Sequence, residues 1–236
     1  MSKSTRGPIA SPSGFTLVEL MMAMAISLLA MLAIVAAYLG QNRSFVTQQH
    51  VVDAQQTARA AMFMLTDDIR MAGSNGGNLS AGRLPFTQAQ ANNFTFQWQL
   101  PGQAVPQRVT YAFCNPNGGA NDSLCRTIAD NNGNIINTET IASNIEALEF
   151  FYTTGQGSVP STVTPTDSNQ VTAVQVSLLA RAAGSDPNFH DANTYTPASG
   201  SANWSGNWPA GIANPPNDNF HRRLVIENVV CRNLVN

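Results

Sequence analysis

Charge is scarce in this chain. Only 11% of its 236 residues are Asp, Glu, Lys or Arg. Lys3 is the single lysine, and every other basic residue is an arginine. With 12 basic against 14 acidic residues there is no surplus of cations. Sequence-independent nucleic-acid binding needs clustered phosphate contacts, so it is not expected. Catalytic signatures are missing as well: there is no G-x-S-x-G, H-E-x-x-H, P-loop or dinucleotide-binding pattern. His50, His190 and His221 are far apart and lack ligand-like neighbours. The three cysteines, Cys114, Cys125 and Cys231, show no C-x-x-C spacing, which argues against a cysteine metal site. No catalytic residue, metal or cofactor is assigned, and an enzyme is not expected.

The most informative absence runs from Leu20 to Leu39. These residues, LMMAMAISLLAMLAIVAAYL, include no charge, proline or glycine. About 20 apolar residues are what a helix needs to cross a bilayer core. Ser27 is the one strongly polar member, and a helical serine can bond back to its own backbone. One carboxylate, Glu19, stands at the entrance. An unpaired charge in lipid costs at least about 2.5 kcal/mol, so an acid there points to function. An ordinary secretory signal has a shorter apolar core, of about 7–15 residues, and basic residues at its entrance.

The stretch Gly14-Phe15-Thr16-Leu17-Val18-Glu19-Leu20 resembles the type IV prepilin signature. In that family a short basic leader ends in glycine and a dedicated peptidase cuts after it. The new N-terminal residue, usually Phe, is N-methylated, and a Glu comes four residues later. Gly14, Phe15 and Glu19 match position by position. The resemblance implies cleavage after Gly14, a methylated Phe15 and an assembly role for Glu19. It extends firmly from Phe15 to about Gly40. The leader, residues 1–14, carries Lys3 and Arg6 and no acid. That charge favours a cytoplasmic N-terminus and export of the chain beyond the apolar run. Without the leader, 10 basic residues face 14 acidic ones.

In an exported domain the cysteines can oxidise, and a single bridge has three possible connectivities. Cys114–Cys125 is favoured, because NPNGGANDSL between them is turn-rich. Such a loop closure contributes about 2–3 kcal/mol in the chain-entropy view. Cys231 is then left over, buried in the last strand or paired with another molecule. Three reduced, merely packed cysteines are the alternative.

Between Gln41 and Ala72 there is no proline. Val51, Ala54, Ala58, Met62, Leu65, Ile69 and Ala72 recur in steps of three and four, making one apolar face. Gly73, with Ser-Asn-Gly-Gly after it, is a stop signal. A single helix over 15–72 spans ~85 Å, with Gly40 its only interior weak point. No proline kink is expected. Residues 76–90 read as a mobile polar linker.

Strand patterns come next. Phe94, Phe96 and Trp98 alternate with polar residues, and Val109, Tyr111 and Phe113 alternate with Thr110 and Ala112. Cys125–Ala129 and Asn134–Asn137 flank Asp130-Asn-Asn-Gly, a hairpin turn signal. Calcium at that loop is the weaker reading, since its glycine and distal Glu are misplaced for an EF-hand. Ile145–Tyr152 reads as a strand or the end of a short helix leading into one. Val171–Ala180 and Arg222–Val230 complete the set. An antiparallel sheet with its apolar face on the amphipathic half of the helix is expected. Residues 181–219 form an insert with five prolines and the aromatics Phe189, Tyr195, Trp204 and Trp208. A loop this long has a job or is disordered. Its aromatics either pin it to its own domain or contact a neighbour.

Residues 53–73, DAQQTARAAMFMLTDDIRMAG, resemble PilW-type minor pilins, and J-type pseudopilins of type II secretion are similar. The strings IEALEFFY, VTAVQVSLLARA and RRLVIENVVCRN extend the PilW resemblance. Asp67, Asp68 and Arg70 also read simply as a solvated face near the helix end. The family implies an α+β, pilin-like fold and four regions: leader 1–14, transmembrane or filament-core helix 15–40, amphipathic helix 41–73, and extracytoplasmic β-rich domain 74–236. It implies a minor pilin that helps initiate assembly or forms part of the pilus tip or filament. The implied partners are the prepilin peptidase/N-methyltransferase, other minor and major pilins, the inner-membrane assembly platform and the membrane. The implied location is the inner membrane, single-pass with the C-terminal domain periplasmic, and then the pilus. A J-type pseudopilin and a pilus-displayed adhesin using the insert are the alternatives.

Overall fold

The computed structural model describes residues 14–76, 86–114, 123–154, 161–162, 170–201, 204 and 214–233. Two compact units divide the chain, Met1–Val46 and Thr47–Asn236. One helix, α1, runs from Leu17 to Met71, 55 residues. Leu, Met and Ala dominate its first half and are strong helix formers. Gly40 lies within the helix, at a cost of about 1 kcal/mol relative to alanine. Among the described residues of the first unit the apolar side chains are exposed.

In the second unit the helix buries one stripe: Ala54, Ala58, Ala61, Met62, Leu65, Thr66, Ile69. Val51 is only half-buried. The stripe is built from small residues at its start and large ones near its end. Complete burial of a residue such as Leu65 or Ile69 contributes about 1.5–3 kcal/mol. The helix stops where Gly73 adopts a left-handed φ of 79°, which only glycine enters freely. Ala72 N–H tightens the last turn by donating to Ile69 O at 3.1 Å, and Gly73 N–H donates outward to Gln97 O at 2.9 Å.

Among the described residues nine strands come after the helix, all paired antiparallel. They are β1 Phe86–Ala89, β2 Asn93–Trp98, β3 Gln107–Cys114, β4 Ser123–Ala129, β5 Ile135–Ser143, β6 Ile145–Thr154, β7 Ser161–Thr162, β8 Val171–Arg181 and β9 Arg222–Val230. Where one sheet was expected there are two: β1-β2-β3-β4-β5 and β7-β6-β8-β9. Asn144, with φ 58°, separates β5 from β6 and turns the chain from one sheet to the other. Phe150 N–H reaches back to Ala91 O at 2.8 Å, and Tyr152 O–H to Gln90 O at 2.8 Å. The inner faces of both sheets and the helix stripe share one core, from Leu65 and Ile69 to Phe94, Phe150 and Val176. Ile145–Thr154 is wholly strand, with no helical turn.

The expected linker over 76–90 is structured at its end. Phe86 belongs to β1, is buried, and lies 5.0 Å ring to ring from Phe94. An aromatic at the end of a polar run was the signal for it. The Asp130 turn satisfies its own carboxylate. Oδ1 accepts from Asn132 N–H at 2.9 Å and Asn134 N–H at 2.8 Å, and Oδ2 from the Asn134 amide at 2.8 Å. Those bonds, the Asn134 side chain first, hold its carboxyl below the usual range. The oxygens that a cation would need are thus engaged by the turn.

Candidate functional site

Gly14, Phe15 and Thr16 precede the helix as irregular chain. Nothing lies within 4 Å of where a Cβ on Gly14 would sit, and Phe15 is 88% exposed. The leader residues before Gly14 lie outside the described residues. Glu19 is in the first helical turn. Its Oε2 accepts from Thr16 N–H at 2.9 Å and from Thr16 Oγ1 at 2.9 Å, while Glu19 N–H donates to Thr16 Oγ1 at 3.2 Å. This reciprocal arrangement is a capping box, with Thr16 as the N-cap and Glu19 at the third helical position. It satisfies helix N–H groups that would otherwise be orphaned. The signal Thr-x-x-Glu stands in the sequence, yet the family resemblance gave Glu19 only an intermolecular part. The α1 helix is long and apolar enough to cross a membrane, and none of that stretch is buried within the molecule.

Cys114 and Cys125 form a disulfide with Cα atoms 5.4 Å apart. It spans β3 and β4, where Cys114 faces Ser123 and Cys125 faces Ala112. The residues between the two strands, 115–122, lie outside the described residues. Cys231 is free and buried, and burial pushes its thiol up to about 12.

Two clusters of buried charge hold the second unit together. The first joins helix to sheet. Asp68 Oδ2 accepts from Tyr111 O–H at 2.7 Å and from Arg126 Nε at 2.6 Å. Arg126 also donates to Glu139 at 2.8 Å and lies over the Trp98 ring at 5.4 Å. Burial, then the Asp68 charge, drives the Tyr111 hydroxyl well above its ordinary range. Asp67 and Arg70 are at least partly exposed, as a solvated face requires. Asp68 departs from that reading, with a side chain only 13% exposed. A lone acid near the helix stop did not reveal its partner, because Arg126 is 58 positions away.

The second cluster holds the insert. Arg222, at the start of β9, has a fully buried side chain. Its guanidinium pairs with both carboxylate oxygens of Glu146. It donates to Asp218 at 2.6 and 2.7 Å, to Asp191 at 3.1 Å and to Phe220 O at 3.2 Å. Burial opposes the charge, but the Asp218 and Glu146 bonds outweigh it and raise the Arg222 pKa. In return the Arg222 guanidinium holds Asp218 below the usual carboxylate range. Asp191 also accepts from Tyr195 O–H at 2.8 Å. Glu149, fully buried on β6, accepts from Ser199 N–H at 3.2 Å and Ser199 Oγ at 3.0 Å. Two acids inside the apolar string IEALEFFY were the available sign that something polar covers this strand.

That cover is the insert itself. Tyr195 and Trp204 pack with Ala147 and Leu179 into a second small core. Trp204 Nε1–H donates to Tyr195 O at 2.8 Å. Of the two expectations for these aromatics, the structure places Tyr195 and Trp204 in the pinning role, and Phe189 stacks on His221 at 3.8 Å. Trp208 lies outside the described residues. The insert also reaches α1: Thr47 Oγ1 donates to Asp186 Oδ2 at 2.8 Å, and His221 Nε2 lies 3.2 Å from the same oxygen. The Thr47 hydroxyl first, then Asn188 N–H and His221, hold the Asp186 carboxyl low. His50, one turn on, packs against Gly184, where a Cβ would come within 2.5 Å of the ring. Among the described residues no group of three or more His, Cys, Asp or Glu side chains is arranged to hold a metal ion.

The comparisons with known proteins concern both the N-terminal segment and the β-rich unit. The prokaryotic N-terminal methylation motif matches residues 10–35. The family described as Type IV Pilus-assembly protein W matches residues 110–233. A solved structure, the type IV-like pilin TTHA1219 from Thermus thermophilus, is similar at 14% identity over 77% of this chain and 98% of its own, with a TM-score of 0.49. No curated protein matches. Since the matched residues 110–233 make up more than half of the 236, the chain belongs to the PilW family of type IV pilus-assembly proteins.

Proposed function

We propose that the chain is processed as a prepilin, by cleavage after Gly14 and methylation of Phe15, and then works as a minor pilin that helps to initiate a type IV pilus or forms part of its tip. Membership of the pilus-assembly family carries this reading, and the uncovered Gly14–Phe15 segment before an exposed apolar helix supports it. Before assembly the apolar helix holds the subunit in the inner membrane. Assembly moves it from lipid into a bundle of like helices, and little hydrophobic energy changes because both surroundings are apolar. Polar groups then set the register. Glu19 pairs with the freed amine of Phe15 on a neighbouring subunit, and each charge offsets part of the other's penalty. The capping box gives Glu19 a partner, Thr16, while it waits in the membrane.

The partners in this reading are the prepilin peptidase, other minor and major pilins and the inner-membrane platform. The β-rich unit faces the periplasm. The test is intact mass and N-terminal sequencing of Glu19→Ala and of the unaltered chain, recovered from membranes and from sheared filaments. Both chains start at methylated Phe15, and Glu19→Ala is depleted from filaments. An unaltered chain retaining Met1 would sink the processing scheme, and normal entry of Glu19→Ala would sink the pairing.

A further inference from the structure

The stripe that fastens α1 to the sheets is buried only from Ala54 onward. Residues three and four apart share a helix face, so its continuation toward the N-terminus is Thr47, His50 and Val51. These three are half-buried, while Gln48, Gln49, Val52 and Asp53 are exposed. Thr47 is the first residue of the second unit. From there to Asp53 the helix buries no side chain completely.

The base of the insert holds this part of the helix, and it does so through two contacts of a different kind from the apolar stripe. Thr47 Oγ1 donates to Asp186 Oδ2, and the His50 ring fills the space that a Cβ on Gly184 would need. The base is closed on itself without either of them. Asp186 Oδ1 accepts from Asn188 N–H at 3.0 Å, and Asp186 N–H donates to Asn219 O at 2.7 Å. Asp191 N–H donates to Asp218 O at 2.7 Å, and Phe189 stacks on His221. When Thr47 leaves, Asp186 therefore keeps Asn188 and His221 as partners. The freed hydroxyl can bond back to its own helix. Little apolar surface is uncovered on either side. A segment held by so few buried apolar contacts opens locally, at far lower cost than the whole fold.

We propose that the base of the insert, residues 182–191 and 217–221, is a clasp that opens and closes on α1 in the native subunit. Opening frees residues 47–53, while the stripe from Ala54 and the base itself stay packed. It adds about two turns to the length of helix that the β-rich unit does not hold. That this lengthens the helix offered to neighbouring subunits rests on the pilin reading, whereas the clasp itself does not.

The chain carries its own probes, since its three histidines are His50, His190 and His221. Diethyl pyrocarbonate modifies neutral imidazole, and peptide mass spectrometry reads each ring separately in the folded full-length chain. His190 is exposed and reports the unhindered rate. His221, with a side chain 12% exposed, reports opening of the base. His50 reports the clasp. Where reclosing is fast, modification follows the open population. Thr47→Val removes the hydroxyl and keeps the shape. It raises His50 modification about tenfold, the effect of losing one hydrogen bond to a carboxylate. His221 stays slow, which also verifies that the variant is folded. Gly184→Ala gives the same pattern, because its Cβ would come within 2.5 Å of the His50 ring and drives it out. A His50 modified as fast as His190 in the native chain, or at the native rate in Thr47→Val, overturns the clasp. So does a His221 that accelerates together with His50, since the base would then open with the helix. Absence of the unaltered chain from filaments overturns only the consequence for neighbouring subunits.

Discussion

Replacing Arg222 by methionine removes a charge but keeps much of the volume. In the native chain this guanidinium is fully buried and answers three carboxylates: Glu146, Asp191 and Asp218. Glu146 and Asp191 are themselves almost wholly buried, while Asp218 keeps 29% of its side chain in solvent. The variant leaves Glu146 only Arg181, at 3.7 Å, and leaves Asp191 no cation among the described residues. Breaking a buried ion network by removing one partner costs about 3–5 kcal/mol. That is a large part of the ~5–15 kcal/mol available to a folded protein. The assay is denaturant unfolding of the full chain in detergent, with limited proteolysis to locate the opened region. Cleavage concentrates in 182–221, because the cluster ties that segment to β6 and β9. A pH series sharpens the result. Asp218 has a depressed pKa in the folded protein, so its stabilisation is complete above the ordinary Asp range near ~3.9 and disappears as pH falls through the lowered value. Without Arg222 the largest cause of that depression is gone. The gap between variant and native chain therefore narrows as pH falls below ~3.9, through the lowered Asp218 value. A loss below ~1 kcal/mol at neutral pH, or a loss independent of pH, refutes the account of Arg222 as the hub.

Three further outcomes are expected. Asp68→Ala leaves the Tyr111 hydroxyl and the Arg126 guanidinium short of an acceptor and lowers unfolding stability by ~2–4 kcal/mol, seen as a lower denaturant midpoint; a loss of a few tenths would return Asp68 to the solvated face. Trp204→Ala empties the small core beneath the insert and costs about 3–5 kcal/mol, with new protease cuts within 182–221; unchanged proteolysis would mean that the insert is held without its tryptophan. Cys231 stays unlabelled by iodoacetamide at about pH 8 in the native chain and reacts after unfolding, because burial keeps the thiol neutral up to about 12; labelling of the folded protein, read by intact mass, would contradict its burial.

Much of this protein is written in local patterns. The apolar run, the glycine before Phe15 and the three-and-four spacing from Ala54 to Ala72 depend on neighbours within a few turns, so periodicity alone reveals the helix and its buried stripe. The Asn-Gly turn and the alternation through Phe94, Phe96 and Trp98 are equally local, and they reappear as a hairpin and as β2. The Thr16–Glu19 capping box was legible too, since its two residues are a single turn apart.

Other features required the folded chain. Whether the nine strands of the described residues make one sheet or two depends on where Asn144 turns and on how Phe150 meets Ala91 across a long stretch of chain. The partners of Asp68 and Arg222 lie mostly on elements far away in sequence, and no charge pattern along the chain points to them. The insert over 181–219 reads as a polar, proline-rich loop, which composition cannot distinguish from a mobile one. It is ordered where Tyr195, Trp204 and the buried carboxylates Glu146, Glu149 and Asp191 meet at the outer face of the second sheet. Composition and periodicity determine which surfaces each element must bury. Which distant element supplies the cover is decided only when the chain closes its long-range contacts.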